Sequence, residues 1–310
     1  MWLIFAALTF LAWGFADLFY KLGNENNEKY SHIKTGIMVG LVMGITGLAT
    51  LLIKGIPYDF RNLLIYLPVS AMYILSMVVG YFGLRYLELS VSSPVQNASG
   101  AVSSILLIIV LHELPDLISG ISVVLITIGV VMLGVFERDK EKIPLNKEQK
   151  KYSKGIAAIL IPIFYCIIDS IGTFLDGYYL DDISTTPLLG VTEETLEDTA
   201  NISYELTFLL VAIVFAVYLL VFKHEKISFK GRGKHRLFAS LFETAGQFAY
   251  VYAMSGNGIV AAPVVGAYCV ASVVFARIFL KEKLSLGEYL MIGLVFIGII
   301  MLGIVEGLAE

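Results

Sequence analysis

Three carboxylates stand where a carboxylate is costly to keep. Asp17, Asp169 and Glu243 each lie inside a long apolar run. An ionisable group at bilayer depth costs roughly 2.5–3.5 kcal/mol on insertion scales, so the three together cost about 8–10 kcal/mol. That sum rivals the whole stability of many domains, about 5–15 kcal/mol, so something must compensate it. Around Glu243 the polar residues recur at helical spacing, with Ser240 at i−3, Gln247 at i+4 and Tyr250 at i+7. A stripe of this kind does not suit a lipid-facing surface. It either fixes helix packing through interhelical hydrogen bonds or faces a cavity, and the length of the stripe favours the cavity.

Asp17 and Asp169 form a related pair. Each has an aromatic residue four positions earlier, Trp13 and Tyr165, and the same alignment sets Lys21 against Thr173. Lys21 could form an i,i+4 ion pair with Asp17 or extend toward the membrane surface; no basic residue lies within one turn of Asp169. A further polar cluster, Ser92, Ser93, Gln96, Asn97, Ser99, Ser103 and Ser104, falls in one apolar segment. Gln96, Ser99 and Ser103 share a face that either lines a pathway or bonds to a neighbouring helix. Gly36, Gly40 and Gly44 recur every four residues, a spacing that allows close helix–helix approach. Pro94 and Pro263 are expected to bend equivalent helices, and Pro68 and Pro162 to bend others.

The elements that must carry these residues follow from composition. Of the 310 residues, 57% are hydrophobic and only 15% charged, against about a quarter charged in soluble domains. A soluble core of this size could not hide so much apolar surface. Helices satisfy all their backbone hydrogen bonds internally, and about 20 apolar residues cross the hydrocarbon. Runs of that kind occur at 2–21, 35–53, 62–84, 91–111, 117–136, 155–175, 202–222, 237–256, 257–279 and 285–305. The expected fold is all-α, with ten transmembrane helices. The start lacks a basic n-region and a small-residue cleavage site, so it is expected to stay as a span.

Lys and Arg set the orientation. With both termini outside, 20 of the 22 basic residues fall in the cytoplasm and only Lys54 and Arg61 lie outside. The stretch 137–154 reads as a solvated, basic cytoplasmic linker. The outer loop 176–200 carries seven acidic residues and no Lys or Arg. The plasma membrane is the expected location. Cys166 and Cys269 sit in apolar runs and read as packing residues. The four histidines lie in loops or at span ends without metal-ligand spacing. No phosphate loop, H-E-x-x-H or G-x-S-x-G motif is present, which argues against ATP drive and against intramembrane catalysis.

The chain also matches itself at an offset of 169 residues. Pro94-Val95 meets Pro263-Val264, Glu113 meets Glu282, and Met132-Leu133-Gly134 meets Met301-Leu302-Gly303. Two five-span halves follow, 1–136 and 155–310, and an odd number of spans inverts the second half. The turn His112-Glu113-Leu114-Pro115 has no Lys or Arg, whereas Lys281-Glu282-Lys283-Leu284 has two, as expected for equivalent loops on opposite membrane sides. Inverted repeats are a usual basis of alternating access.

Two five-span halves, Trp13-Gly14 followed by Lys21 in the first span, and Glu-containing turns at 112–117 and 281–286 before a closing glycine-rich helix resemble the EamA-like branch of the drug/metabolite transporter superfamily. The resemblance covers nearly the whole chain and implies a transporter of a small organic solute. Glu243, Gln247, Asp17, Asp169, Trp13, Tyr165, Tyr250, Gln96 and Asn97 are the expected substrate or proton pathway. The carboxylates and aromatic faces point to a cationic or amine-bearing substrate, and the same carboxylates could exchange protons. A divalent-cation carrier or channel is the alternative. The expected partners are a small molecule, protons and the lipid bilayer, without nucleic acid or cofactor. Oligomeric state is left open, with a homodimer compatible.

Overall fold

A computed structural model describes residues 1–24, 28–84, 89–138, 156–281 and 283–309. The expected linker 137–154 falls almost wholly outside the described residues. The described residues contain helices and no strand. In chain order these are α1 (Trp2–Gly23), α2 (Ser31–Lys54), α3 (Asn62–Ile65), α4 (Leu67–Gly83), α5 (Leu89–Asn97), α6 (Ser99–Leu111) and α7 (Leu117–Arg138). They are followed by α8 (Ile156–Leu180), α9 (Leu196–Val217, extended by a π-turn at Tyr218–Phe222), α10 (Arg232–Gly266), α11 (Tyr268–Phe275, extended by a π-turn at Ala276–Leu280) and α12 (Leu286–Ala309). Among the described residues, eight helical stretches are long and apolar enough to cross a membrane, and Leu67–Gly83 is a shorter apolar helix. This is an integral, multi-pass, all-α membrane protein.

One of the eight, Arg232–Leu280, has 49 residues. A straight helix of that length would reach about 74 Å at 1.5 Å per residue, over twice the roughly 30 Å of hydrocarbon. It breaks at Asn257, whose backbone leaves the helical region at φ −170°, ψ 77°. The Asn257 carboxamide accepts from the backbone N–H of Val260 at 3.3 Å, so the residue caps the segment that follows. Contacts with α1 show the chain reversing there. Before the break, Trp2 meets Gly256, Trp13 meets Gly246 and Gly23 meets Arg236, an antiparallel run. After it, Trp13 meets Tyr268 and Gly14 meets Ala271, a parallel one.

The interfaces come in matched sets. α1 packs along α10, and α4 along α8; α2 pairs with α9, α5 with α11, and α7 with α12. Glycines permit the closest approaches. A Cβ on Gly40 would sit 2.3 Å from the Phe208 carbonyl oxygen, and one on Gly44 2.5 Å from the Leu209 Cβ, so the four-residue glycine repeat is the contact between α2 and α9. Between α7 and α12 the contact is reciprocal. Gly129 lies against Val295 and Met291, and Gly298 against Ile126 and Ser122. Gly298, Val295 and Met291 of α12 each lie 169 positions after Gly129, Ile126 and Ser122 of α7, which is the pattern of an isologous contact across a two-fold axis. Local breaks repeat at the same offset. Helical runs end at Ala98 and Ala267, each followed by the same i→i+3 bond, Ala101 N–H to Ala98 and Val270 N–H to Ala267. His112 and Lys281 both close their helices with positive φ.

The two boundaries that flank the acidic loop differ from expectation. α8 continues to Leu180, past the expected end at 175, because Asp176 is not solvated. Its carboxylate accepts from the Tyr66 hydroxyl, so a charged residue continues the helix. α9 starts at Leu196, six residues before 202, with Glu197 and Asp198 in its first turn, where acidic groups are favoured by the helix dipole. The outer loop shrinks accordingly. What remains of it is docked by Asn62, whose side chain donates to the Leu189 carbonyl at 3.0 Å and accepts from its N–H at 2.8 Å.

At the end where α1 stops, Arg236 donates to the Gly23 carbonyl and to Glu28, and Lys34 bridges Glu28 at 2.8 Å and Glu225 at 3.0 Å. Partial burial disfavours the charged Glu28 carboxyl, but the bonds from Arg236 and Lys34 outweigh it and hold its pKa below the ordinary 4.5. A depressed pKa stabilises the fold above the ordinary value, and that contribution disappears as pH falls through the folded value. Glu28→Gln is therefore expected to destabilise the protein by about 1–3 kcal/mol near neutrality, because it leaves Arg236 short of an anionic partner. Thermal unfolding in detergent across acid pH checks this, with wild type and variant converging below about pH 4.

Candidate functional site

The broken helices α5–α6 and α10–α11 cross backbone to backbone. A Cβ on Gly100 would lie 2.4 Å from the Ala262 carbonyl oxygen, and one on Gly266 2.9 Å from that of Asn97. Around this crossing, α1, α4, α8 and α10 enclose a cavity of about 60 Å³. It offers room for about 4–6 waters at roughly 10–15 Å³ each. A solute of organic size requires the walls to move. Trp13, Asp17, Gln96, Asn97, Tyr165, Asp169, Glu243, Gln247 and Tyr250 all line this one space. Residues from four separate helices thus converge.

The carboxylates are held by hydroxyls. Asp17 accepts from Ser93 on α5 and Ser272 on α11, both at 2.7 Å. Asp169 accepts from Ser76 on α4 at 3.1 Å and Ser99 on α6 at 2.7 Å. Glu243 accepts from Tyr20 at 3.2 Å, and Tyr20 in turn accepts from Tyr81 at 3.0 Å. Hydroxyl donors stabilise a carboxylate without cancelling its charge. Lys21 donates to the Leu84 carbonyl at 3.1 Å. Among the described residues, no Lys or Arg lines the cavity.

Aromatic rings supply the rest of the wall. The Trp13 indole donates to the Glu243 carbonyl at 3.2 Å, with its ring centre 5.1 Å from Tyr250 and 5.5 Å from Tyr268. Tyr73 and Tyr250 share a 2.5 Å bond between hydroxyls, and Tyr73 also donates to Thr173 at 3.0 Å. Two amides point into the space unspent. Among the described residues, nothing pairs with either polar atom of the Gln247 side chain or with the Gln96 Nε2, although both residues are buried. Buried polar atoms are normally paired, so these are free to bond to whatever enters.

Not every residue of the expected stripes faces this space. Ser240 donates to the Arg236 carbonyl at 2.7 Å, and Ser103 to those of Ser99 and Ser170; these hydroxyls hold helices. Conversely, Tyr20, Tyr73, Tyr81, Tyr204 and Tyr268 line the cavity without having been indicated by spacing. Asp176 lies behind Tyr250, bonded to Tyr66 at the other side. With Asp169 and Thr173 it forms one face of α8 at i, i+4 and i+7. The only signal in the sequence is that face, hidden when the span is ended at 175.

The family model of EamA-like transporters matches residues 1–135 and 202–304. The chain belongs to the EamA-like transporter family. It is therefore a membrane transporter of the drug/metabolite transporter superfamily. The segment between the two matched regions holds α8 and the acidic loop. No curated protein matches the chain. A solved structure described as "Crystal structure of protein" shares the fold, with a TM-score of 0.68 and 10% identity over 100% of this chain and 98% of that one.

Gly246 leaves the indole its place. A Cβ there would fall 2.3 Å from Trp13 Cδ1. Gly246→Ala is expected to displace the ring, at a stability cost of about 1–3 kcal/mol, and to change the emission of Trp13. Fluorescence and thermal unfolding in a Trp2→Phe background check this. Gly293→Ala, where a Cβ meets open space, is the control and should leave both unchanged.

Proposed function

We propose that this EamA-like transporter is a secondary active carrier of a small organic cation or amine-bearing metabolite, moved by alternating access. One observation carries the reading: three carboxylates border one cavity, they accept from hydroxyls, and among the described residues its lining contains no basic side chain. A cation would balance that charge, and the faces of Trp13, Tyr250 and Tyr268 would contribute about 2 kcal/mol when desolvated. Gln96, Asn97 and Gln247 would orient the polar part of the solute.

The same reading has ten spans in two inverted halves, 1–136 and 155–310, joined by the linker 137–154, with both termini outside the plasma membrane. It is supported by the chain reversal at Asn257, by the repeated breaks at Ala98 and Ala267, and by the reciprocal contact of Gly129 and Gly298. α2 runs antiparallel to α9, as α7 does to α12, judged from the order of their contacts. Inverted halves let each adopt the conformation of the other, so one site can open to either side in turn. Protons would compete with the cation for Glu243 and drive antiport.

A thermal-shift series of the purified protein against amines, amino acids, sugars and nucleosides tests the substrate class. Ligand at 100 times its Kd stabilises by about 2.7 kcal/mol, and amines are expected to give this shift in wild type and lose it in Glu243→Gln. Stabilisation by neutral sugars alone, unchanged in Glu243→Gln, would overturn the cationic reading. In proteoliposomes, Glu243→Gln should abolish uptake driven by a proton gradient.

A further inference from the structure

A second polar site lies outside the central cavity, on the face of α9 turned to α2. Asn201 and Glu205 are one turn apart and only 2% and 1% exposed. Among the described residues nothing pairs with the Asn201 Nδ2, the Asn201 Oδ1 or the Glu205 Oε1. Three unpaired polar atoms on one face of one helix are exceptional, since buried polar groups are bonded to protein, water or an ion. Opposite Glu205, α2 presents Gly47, where an added Cβ would lie 3.0 Å from the Glu205 Cβ and 3.1 Å from its Oε2. Only a glycine leaves the carboxyl its room.

The charged and titratable groups on the elements around α9 are engaged elsewhere. Lys54 of α2 pairs with Asp198 at 2.6 Å, and Tyr252 of α10 donates to Asp198 at 3.0 Å. Tyr58, between α2 and α3, bonds to Ser203 at 2.8 Å. Tyr73 of α4 sets its ring against Tyr204 and its hydroxyl on Thr173 and Tyr250. Tyr66 of the α3–α4 junction donates to Asp176, and Glu243 of α10 accepts from Tyr20. Asp198, Asn201 and Glu205 follow at i, i+3 and i+7, so one polar stripe descends from the ion pair between the exposed Lys54 and the buried Asp198 to Glu205, about 10 Å along the helix axis.

We infer that Asn201 and Glu205 form a proton-binding site separate from the substrate cavity, reached along this stripe from the Lys54–Asp198 end. A carboxyl inside a bilayer with neither a cationic partner nor hydroxyl donors must hold a proton or a metal cation. The amide decides between them. Asn201 offers one acceptor and two donors, which suits a water between it and a protonated carboxyl, whereas a metal cation would be repelled by its NH₂ group. Tyr204, the neighbour of Glu205 in the chain, lines the substrate cavity. Loss of the proton would therefore alter the packing of α9 on α2 next to the cavity wall. As a coupling site it rests on the transporter reading; as a proton site it does not.

Infrared difference spectroscopy of the purified full-length protein separates the two. Wild type should show a protonated-carboxyl C=O band that shifts in D₂O, disappears on alkalinisation and is lost in Glu205→Gln. Asn201→Ala should move that band to higher frequency, because the carbonyl loses a hydrogen-bonded neighbour. A spectrum unchanged by Glu205→Gln, or a band removed by Na⁺ at constant pH, would overturn the proton site. In proteoliposomes, Glu205→Gln should lose accumulation driven by a proton gradient and keep gradient-free exchange of amine. Loss of both, with the infrared band behaving as expected in wild type, Glu205→Gln and Asn201→Ala, would overturn the coupling role alone.

Discussion

A carboxylate can be kept inside a bilayer in two ways, by pairing it with a cation or by surrounding it with hydroxyl donors. This protein takes the second course at its centre, and much of the architecture follows from that choice. Asp17 and Asp169 each need two serines, and those serines come from helices far apart in the chain. The carboxylates therefore tie α1 to α5 and α11, and α8 to α4 and α6. An ion pair would have linked two side chains and ended there. The hydroxyl solution brings no neutralising cation of its own, so the centre is cross-linked in a way that the proposed cationic substrate would complete.

Close backbone approach is the second constraint, and it serves the first. A serine hydroxyl reaches only a short distance from its helix, so the helices must come near for the bonds to form. Gly100 and Gly266 bring α5–α6 and α10–α11 into backbone contact at the crossing beside Asp17 and Asp169. Gly40 and Gly44 do the same for α2 and α9. Lipid supplies little hydrophobic force between helices, so small residues and polar bonds do what an apolar core does in water. At the cavity itself packing is loosened, with unpaired amides at Gln96 and Gln247.

Much of this was legible in the sequence because the bilayer makes certain residues conspicuous. Asp17, Asp169 and Glu243 stood out by their cost, and Trp13, Tyr165, Gln247 and Tyr250 by their helical spacing from them. Gln96 and Asn97 stood out as members of a serine- and amide-rich cluster too polar to face lipid all round. The other five tyrosines of the cavity were not legible, since Tyr is unexceptional in a membrane helix and the partnership of Tyr20 with Glu243 joins positions 223 residues apart. Asp176 was hidden by a rule that is usually sound, that a charged residue ends a span; here the Tyr66 hydroxyl removes the penalty. Glu205 lay within an expected span, but starting that span at 202 removed Asn201 and with it the i,i+4 pattern that draws notice.

Backbone breaks and glycine contacts repeat at an offset of 169 residues, but the chemistry at the two ends of the bundle does not, and that difference bears on the proposed cycle. Where α1 stops, Arg236, Lys34, Glu28 and Glu225 form an ionic cluster joining α1, α2 and α10. Toward the opposite end, the Tyr66–Asp176 bond and the Tyr73–Tyr250 bond tie α4, α8 and α10 together. Opening the first end means hydrating charges that water solvates well, which offsets much of the lost attraction. Opening the second means exposing hydroxyls and aromatic rings, whose apolar faces gain little from water. A backbone two-fold that made the two openings equivalent would give no preference for either side. In the proposed cycle the unequal ends would break that degeneracy, so the resting bias would reside in the side chains at the two ends, while inverted halves would supply the pair of states between which that bias acts.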